Sequence, residues 1–347
     1  MMVKLLIAGL LGFLVSFVAT VFVKHFAIAH KLIDEPGLLK RKIHKTAVAK
    51  MGGLGIFIAF FVVLGLFLLF TPDLTSGRIT LMHYLGMFVG GSFLMIGGYL
   101  DDRYDLPPNA SIIAPLLATL SLIAFGINVE KLTNPFGGIL YLSALQSGVL
   151  IFLWLMVVMY TTKFLDGLDG LATSVSSIGL FMILLLSLTI AYYQPDVAIL
   201  SAIACSACIG FLFWNFHPAS IFLGEGGSTF IGFLLGTLAI ISGGKLATAL
   251  LVLGIPLFDV VWIMFRRFKT GGIKQIFKAD KKHLHHRLLD LGLSQKQIMY
   301  VYVLIASAFG ATTIFLQSQQ KLIALLLLGG MMVIAALFLV SKEHRCE

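Results

Sequence analysis

An all-α bundle that crosses a membrane about ten or eleven times is the fold class this sequence predicts, and three observations predict it. Of its 347 residues, 59% are hydrophobic and only 12% charged, with a mean hydropathy of +1.00, far outside the composition of a soluble globular domain. The apolar residues fall in runs long enough to span a bilayer. The lysines and arginines, which give a formal net charge of +9, gather in alternate connections between those runs. The whole chain, 1–347, reads as one integral-membrane domain.

Taken in order, the apolar windows lie near 3–23, 52–70, 82–99, 111–126, 144–161, 171–192, 197–214, 228–242, 247–265, 299–316 and 322–340. Several are short or interrupted by glycine, which sets ten as the lower count of spans. The first has no small-residue cleavage site and reads as a retained span rather than a signal peptide. Gly126 to Leu142, with NPFGG at Asn134 to Gly138, reads as an irregular or hairpin connection.

The basic residues set the orientation. Lys24 to Lys50, Arg103, Lys163, Arg266 to Lys296, Lys342 and Arg345 follow odd-numbered windows, whereas the opposite side holds Lys4, Arg78, Lys131, Lys245 and Lys321. The positive-inside rule then puts the amino terminus outside and the odd-to-even connections in the cytoplasm. It gathers Asp101, Asp102, Asp105, Asp166, Asp169, Glu225, Asp280 and the histidines of HLHH on that side, leaving Asp73, Glu130 and Asp196 outside. The charge suits topology and anionic headgroups better than nucleic acid, which is not expected as a partner. Cys205 and Cys208 sit in an apolar run and Cys346 in the tail, a pattern that supports neither a disulfide framework nor a metal ribbon.

Chemistry is expected at the inner edge of the bundle. In KFLDGLDGLA, Lys163 to Ala172, Asp166 and Asp169 are three apart and share a helix face, flanked by apolar runs that give them no structural reason to be charged. An acidic first turn of a helix would look the same in isolation. GYLDDRYDL puts Asp101 beside Asp102; adjacent carboxylates repel, which points to a bound cation, or to a solvated helix end compensated by Arg103. WNFHPASIFLGEGGS carries Glu225 in a Gly-rich turn opening a helix, a setting that offers amides to phosphate and a carboxylate to its metal. Phe222, three residues earlier, can stack on a base or anchor at the interface. His283, His285 and His286 stand among Lys281, Lys282 and Arg287, a cationic setting that opposes zinc and favours a phosphate or nucleotide. In the first connection Lys42 and His44, with Lys40, Arg41 and Lys45, form a phosphate clamp or a headgroup patch.

In this order the segments DEPGLLKRKIH, MGGLGIF, GYLDDRYDL, FLDGLDGLA, WNFHPASIFLGEGGS, IPLFDVVWIMFRR and DKKHLHHRLL resemble the polyprenyl-phosphate N-acetylhexosamine-1-phosphate transferases, glycosyltransferase family 4. That family includes the enzymes that initiate O-antigen and teichoic-acid synthesis and the phospho-MurNAc-pentapeptide transferases. The HLHH run is similar to the UDP-N-acetylhexosamine branch. The resemblance implies transfer of a sugar-1-phosphate from a UDP-sugar to undecaprenyl phosphate, releasing UMP, at the inner membrane of a bacterial cell. It implies Mg²⁺, with Mn²⁺ as a substitute. Asp101, Asp102, Asp166 and Asp169 match the family's catalytic acids, and Glu225 with Asp166 its metal ligands. Lys42, His44, Lys163, Asn215, Phe222, His283, His285, His286 and Arg287 fall at substrate-binding positions. The chain departs from the family pattern where Lys163 replaces an Asn, Ser111 a Lys, Pro115 a Gln and Glu225 an Asp. Tyr160 likewise stands for an Asn, and Ala47 and Ala49 for prolines.

Membrane lipids are the expected surroundings and a homodimer the expected assembly. The expected reaction is a single in-line displacement, with an aspartyl-phosphate route as its rival. A phospho-MurNAc-pentapeptide transferase is the alternative within the family. A transporter is the alternative outside it, and would carry acids at mid-span and on both sides; here Asp259 alone approaches that.

Overall fold

The computed structural model describes residues 1–36, 47–134, 136–243, 245–271 and 283–343. Lipid offers no hydrogen bonds to a backbone, so the apolar runs must close their own, and each of the eleven windows forms helix. These helices are α1 (Met2–Ala29), α2 (Gly53–Phe70), α3 (Leu81–Tyr104), the short α4 (Pro108–Ser111) leading into α5 (Ile113–Ala124), and α6 (Ala144–Leu165). They continue with α7 (Leu171–Leu188), α8 (Pro195–Asn215), α9 (Gly224–Ile241), α10 (Leu246–Val252) and α11 (Gly254–Gly271). The short α12 (Leu284–Asp290), then α13 (Gln295–Phe315) and α14 (Ser318–Glu343), complete the described chain.

Among the described residues eight helices are long and apolar enough to cross a membrane, or nine if α10 and α11, bent by 77°, are one broken span. Two more of the expected windows, 111–126 and 322–340, fall on helices outside that count. Their apolar stretches among the described residues are Pro108–Ala124 and Gln319–Ile334. Pro107 and Pro108 mark the start of the first of them, since proline is tolerated at a helix start but not within one.

Local signals set several boundaries. Ser143 and Gln146 form a reciprocal capping box on α6, Ser294 and Gln297 another on α13, each satisfying amides that have no partner inside the helix. α9 is the hub: 83% of its apolar window is buried, against 28% for α1. It packs on α2, α3, α6, α7, α8 and α10. α1 lies outside, against α2 and α8, and α5 joins α3 to α6.

Glycine decides how closely the hub is approached. A Cβ on Gly98 would fall on Gly226 Cα, and one on Gly53 on Gly227 Cα. Only backbone fits at these two crossings, so the charged end of α3 and the start of α2 sit directly on the first turn of α9. Among the described residues there are also two small antiparallel strand pairs. β1 (Ile33–Asp34) pairs antiparallel with β2 (Val48–Ala49). The expected hairpin in Gly126 to Leu142 is present as β3 (Lys131–Thr133) paired with β4 (Ile139–Tyr141). Ala49 bridges in parallel to Ile221, and Phe222 donates its N–H to Ala49 O at 2.8 Å. This ties the connection before α2 to the one before α9.

Candidate active site

A cavity of about 1200 Å³ opens at the end of the bundle where α3 and α6 finish and α7 and α9 begin. Its wall takes Asp101, Asp102, Asp166, Asp169 and Glu225, with Lys31, Lys50 and Lys163 among them. With Asp34, Glu35 and Asp105, which also line it, eight carboxylates from four segments of the chain face one space.

The five acids of the motifs are each held by a different device. Asp101, in the last turn of α3, accepts from Leu106 N at 3.0 Å and from Ser111 Oγ at 2.6 Å, so the α3–α4 connection and the end of α4 fix its rotamer. Asp102 accepts the N–H of Glu225 at 3.3 Å and has Lys50 Nζ 3.7 Å from its other oxygen. It thereby joins α3 to the positive end of the α9 dipole. Asp169 accepts from Ala219 N at 3.1 Å and pairs with His217 Nδ1 at 2.6 Å, which fixes the face that the ring presents to the cavity. Lys163, in the last turn of α6, is 2.7 Å from Glu225 Oε2 and 3.9 Å from Asp101 Oδ2.

Asp166 caps α6. Burial, then the charges of Glu225, Asp102 and Asp169, push its carboxyl up to about 8. An acid so placed prefers a proton to its charge until a cation arrives.

Asn215 and Phe222 also line the cavity. Asn215 is locked, accepting from Thr173 Oγ1 at 3.1 Å and donating to Ile221 O at 3.0 Å. Of the HLHH loop, His286 reaches the wall. His283 instead pairs with Asp259 at 2.9 Å, a carboxylate that also accepts Leu284 N at 3.0 Å. His285 and Arg287 are buried. Burial, then the neighbouring His286 and His283, hold the His285 ring well below the usual histidine range. Lys42 and His44 lie outside the described residues.

Residues 84–243 match the profile of glycosyl transferase family 4. A Bacillus subtilis protein named "probable undecaprenyl-phosphate N-acetylglucosaminyl 1-phosphate transferase" is 31% identical over 333 residues, covering 94% of this chain and 89% of its own. The chain belongs to glycosyl transferase family 4. Mycobacterium tuberculosis decaprenyl-phosphate N-acetylglucosaminephosphotransferase is 30% identical over 373 residues, 99% of this chain and 90% of its own. Thermotoga maritima undecaprenyl-phosphate alpha-N-acetylglucosaminyl 1-phosphate transferase is 30% identical over 276 residues, 79% and 78%. The matched profile ends at residue 243 and so spans α3 to α9, which carry the five acids of the motifs.

The family resemblance implies Mg²⁺, and the donor set suits such an ion. Carboxylate oxygens are the donors a hard cation takes. Glu225 Oε2 is shut off from solvent and makes no hydrogen bond of normal direction, with Lys163 as its counter-charge. In this side-chain arrangement no three of the described His, Cys, Asp and Glu side chains converge on one point; Glu225 is turned onto the ammonium.

The motif reading passed over several cavity and support residues. Lys50, His217 and Gln295 line the wall, Ser111 holds Asp101 and Asp259 holds the His283 loop. His217 stood inside a motif already singled out. Lys50 carries no local signal, and Ser111 stands out only as a departure from the family pattern; packing alone brings both to the acids.

Proposed function

We propose that this protein transfers N-acetylglucosamine-1-phosphate from UDP-GlcNAc to undecaprenyl phosphate, releasing UMP, as the first membrane step of a cell-envelope polysaccharide. The observation that carries the reading is the gathering of eight carboxylates, three lysines and Arg103 around one cavity at one end of an apolar bundle. It is supported by relatives named for this transfer. The cavity volume, about 1200 Å³, exceeds the ~300–1,000 Å³ of a single small-molecule site, as a site for two substrates requires. With the basic connections on this side, the site faces the cytoplasm of a bacterial cell and opens at the headgroup level. There a lipid phosphate meets a soluble nucleotide.

The acceptor phosphate has a second pKa of about 6 and is largely dianionic at neutral pH. It needs no strong base; it needs help approaching another anion. Lys50, paired to Asp102, and Lys163, beside Asp101, are the cations placed to receive phosphoryl oxygens. Asp101 and Asp102 hold those lysines in position. Asp169 and His217, with Asn215 and Phe222, line the same cavity and are proposed to receive the nucleotide. Asp166 and Glu225 would hold Mg²⁺. When bound, Mg²⁺ supplies positive charge at the donor diphosphate and to the departing UMP. The chain's residues align acceptor and donor for a single in-line displacement. A sugar-phosphate adduct trapped on Asp101, Asp102 or Asp169 would replace this route by a two-step one.

The test is UMP release by purified protein in detergent with undecaprenyl phosphate and Mg²⁺. UDP-GlcNAc, UDP-GalNAc and UDP-MurNAc-pentapeptide are offered separately, with Asp166→Asn as control. Lipid-dependent release from UDP-GlcNAc, lost in the control, is expected. Release from the pentapeptide donor alone would move the protein to the MurNAc branch. Light scattering of the detergent complex checks the expected homodimer.

A further inference from the structure

Three of the seven departures from the family pattern touch one another at the cavity's edge. Lys163 Nζ lies 2.7 Å from Glu225 Oε2 and donates to Ser111 Oγ at 3.2 Å. Ser111 in turn donates to Asp101 Oδ2 at 2.6 Å. Positions 111, 163 and 225, three of those that differ from the family pattern, therefore form one chain of contacts ending on Asp101. Their chemistry is compensating. The resemblance implies a Lys at 111, and here the cation stands at 163 instead. The longer Glu225 side chain reaches it.

Lys163 and Asp166 are three apart at the end of one helix, so the ammonium and the carboxyl open on the same part of the cavity. The side chain of Lys163 is 21% exposed and that of Glu225 39%. The pair is desolvated enough to matter, yet open enough for an ion to enter. The ammonium thus holds the same carboxylate that a divalent ion would need, and the two cations exclude each other there by charge.

We propose that Lys163 is a built-in competitor for Glu225, a positioning residue that sets the cavity's affinity for divalent ions. When an ion takes Glu225, Lys163 is released towards Ser111 and Asp101, where it stands ready for a phosphoryl oxygen. The proposal rests on the reading of Asp166 and Glu225 as the ion's ligands. It goes further in making this chain's ion affinity weaker than its acids alone would give.

The experiment is titration of the purified full-length protein in detergent with Mn²⁺ alone, no nucleotide present, following free Mn²⁺ by electron paramagnetic resonance. Wild type is compared with Lys163→Gln, Lys163→Met, Lys163→Arg and Asp166→Asn. Both neutral variants are expected to bind Mn²⁺ at least about tenfold more tightly than wild type, and Lys163→Arg within about threefold of it. Asp166→Asn is expected to bind more weakly. A purely structural lysine would give weaker binding or none on removal, so a gain separates the two roles. Binding by the neutral variants when wild type shows none supports the proposal equally. Equal or weaker binding in both neutral variants, with Mn²⁺ bound by wild type and lost in Asp166→Asn, overturns the competitor role and leaves the ion site standing. No Mn²⁺ bound by any variant overturns both.

Discussion

Replacing Gly98 by alanine is the sharpest test of how the fold places its acids. The added Cβ would fall on Gly226 Cα and come within 3.3 Å of the Glu225 carbonyl carbon. Both are backbone, so no side chain can swing aside. Carbon atoms in contact rest about 3.5–4 Å apart, so α3 and α9 must separate by more than an ångström, at a cost of about 1–3 kcal/mol for overpacking. The separation acts next to the 3.3 Å bond from Glu225 N to Asp102 Oδ2, which is expected to break. A displacement of ~1 Å at reacting groups costs on the order of 10²-fold in rate. UMP release is therefore expected to fall about 100-fold in Gly98→Ala, with a lowered unfolding temperature. Gly65→Ala is the control. Nothing lies within 4 Å of its added Cβ, and alanine favours a helix over glycine by about 1 kcal/mol. Activity of Gly98→Ala within about threefold of wild type would refute the argument that this glycine crossing sets the site geometry.

Asp166, raised to about 8, must lose a proton to take a cation. Mn²⁺ affinity is thus expected to rise about tenfold per pH unit between roughly 6 and 8 and to level off above, a slope absent in Asp166→Asn. By the same linkage the folded protein holds this proton more tightly than the unfolded chain. Its ion-free stability should then fall as pH rises through that window, as thermal unfolding in chelator would read. His285 is depressed instead. The unfolded chain takes up that proton more readily, so the stability of α12 is present above about pH 6.5 and lost below it. Hydrogen exchange over Leu284–Asp290 should accelerate below that pH in wild type and not in His285→Gln. Asp259→Asn weakens the charge-assisted bond to His283, with an expected cost of about 1–3 kcal/mol. Faster exchange in α12 with unchanged exchange in α9 would be the signature, and protection equal to wild type in α12 would count against the anchor.

Much of the protein was readable in one dimension because a bilayer imposes a one-dimensional rule. Every backbone group inside it must be paired within the segment, so long apolar runs become helices regardless of context, and all eleven windows did. The acids of DDRYDL, DGLDGLA and GEGGS were legible for the same reason. Charge at the edge of an apolar run has no structural purpose, and Asp101, Asp102, Asp166, Asp169 and Glu225 do share one cavity. Span number was less legible, because composition does not register the break before Ile113 or the 77° bend between α10 and α11. The histidine cluster divided for a reason no spacing could show. Asp259, distant in sequence, captures His283, while His285 is buried.

What the sequence by itself determined is the class of fold, the identity of the acidic residues and the family. Those depend on hydropathy, on isolated charge and on short motifs, all local quantities. What only the tertiary structure decided is partnership: that Lys163 meets Glu225 and Ser111, that His217 orients on Asp169, and that Lys50 faces Asp102. These pairs are set by how closely helices approach, and that distance depends on pairs of glycines, Gly98 with Gly226 and Gly53 with Gly227. Each contributes nothing alone, and only when the two are brought face to face does the missing Cβ allow the charged ends to meet.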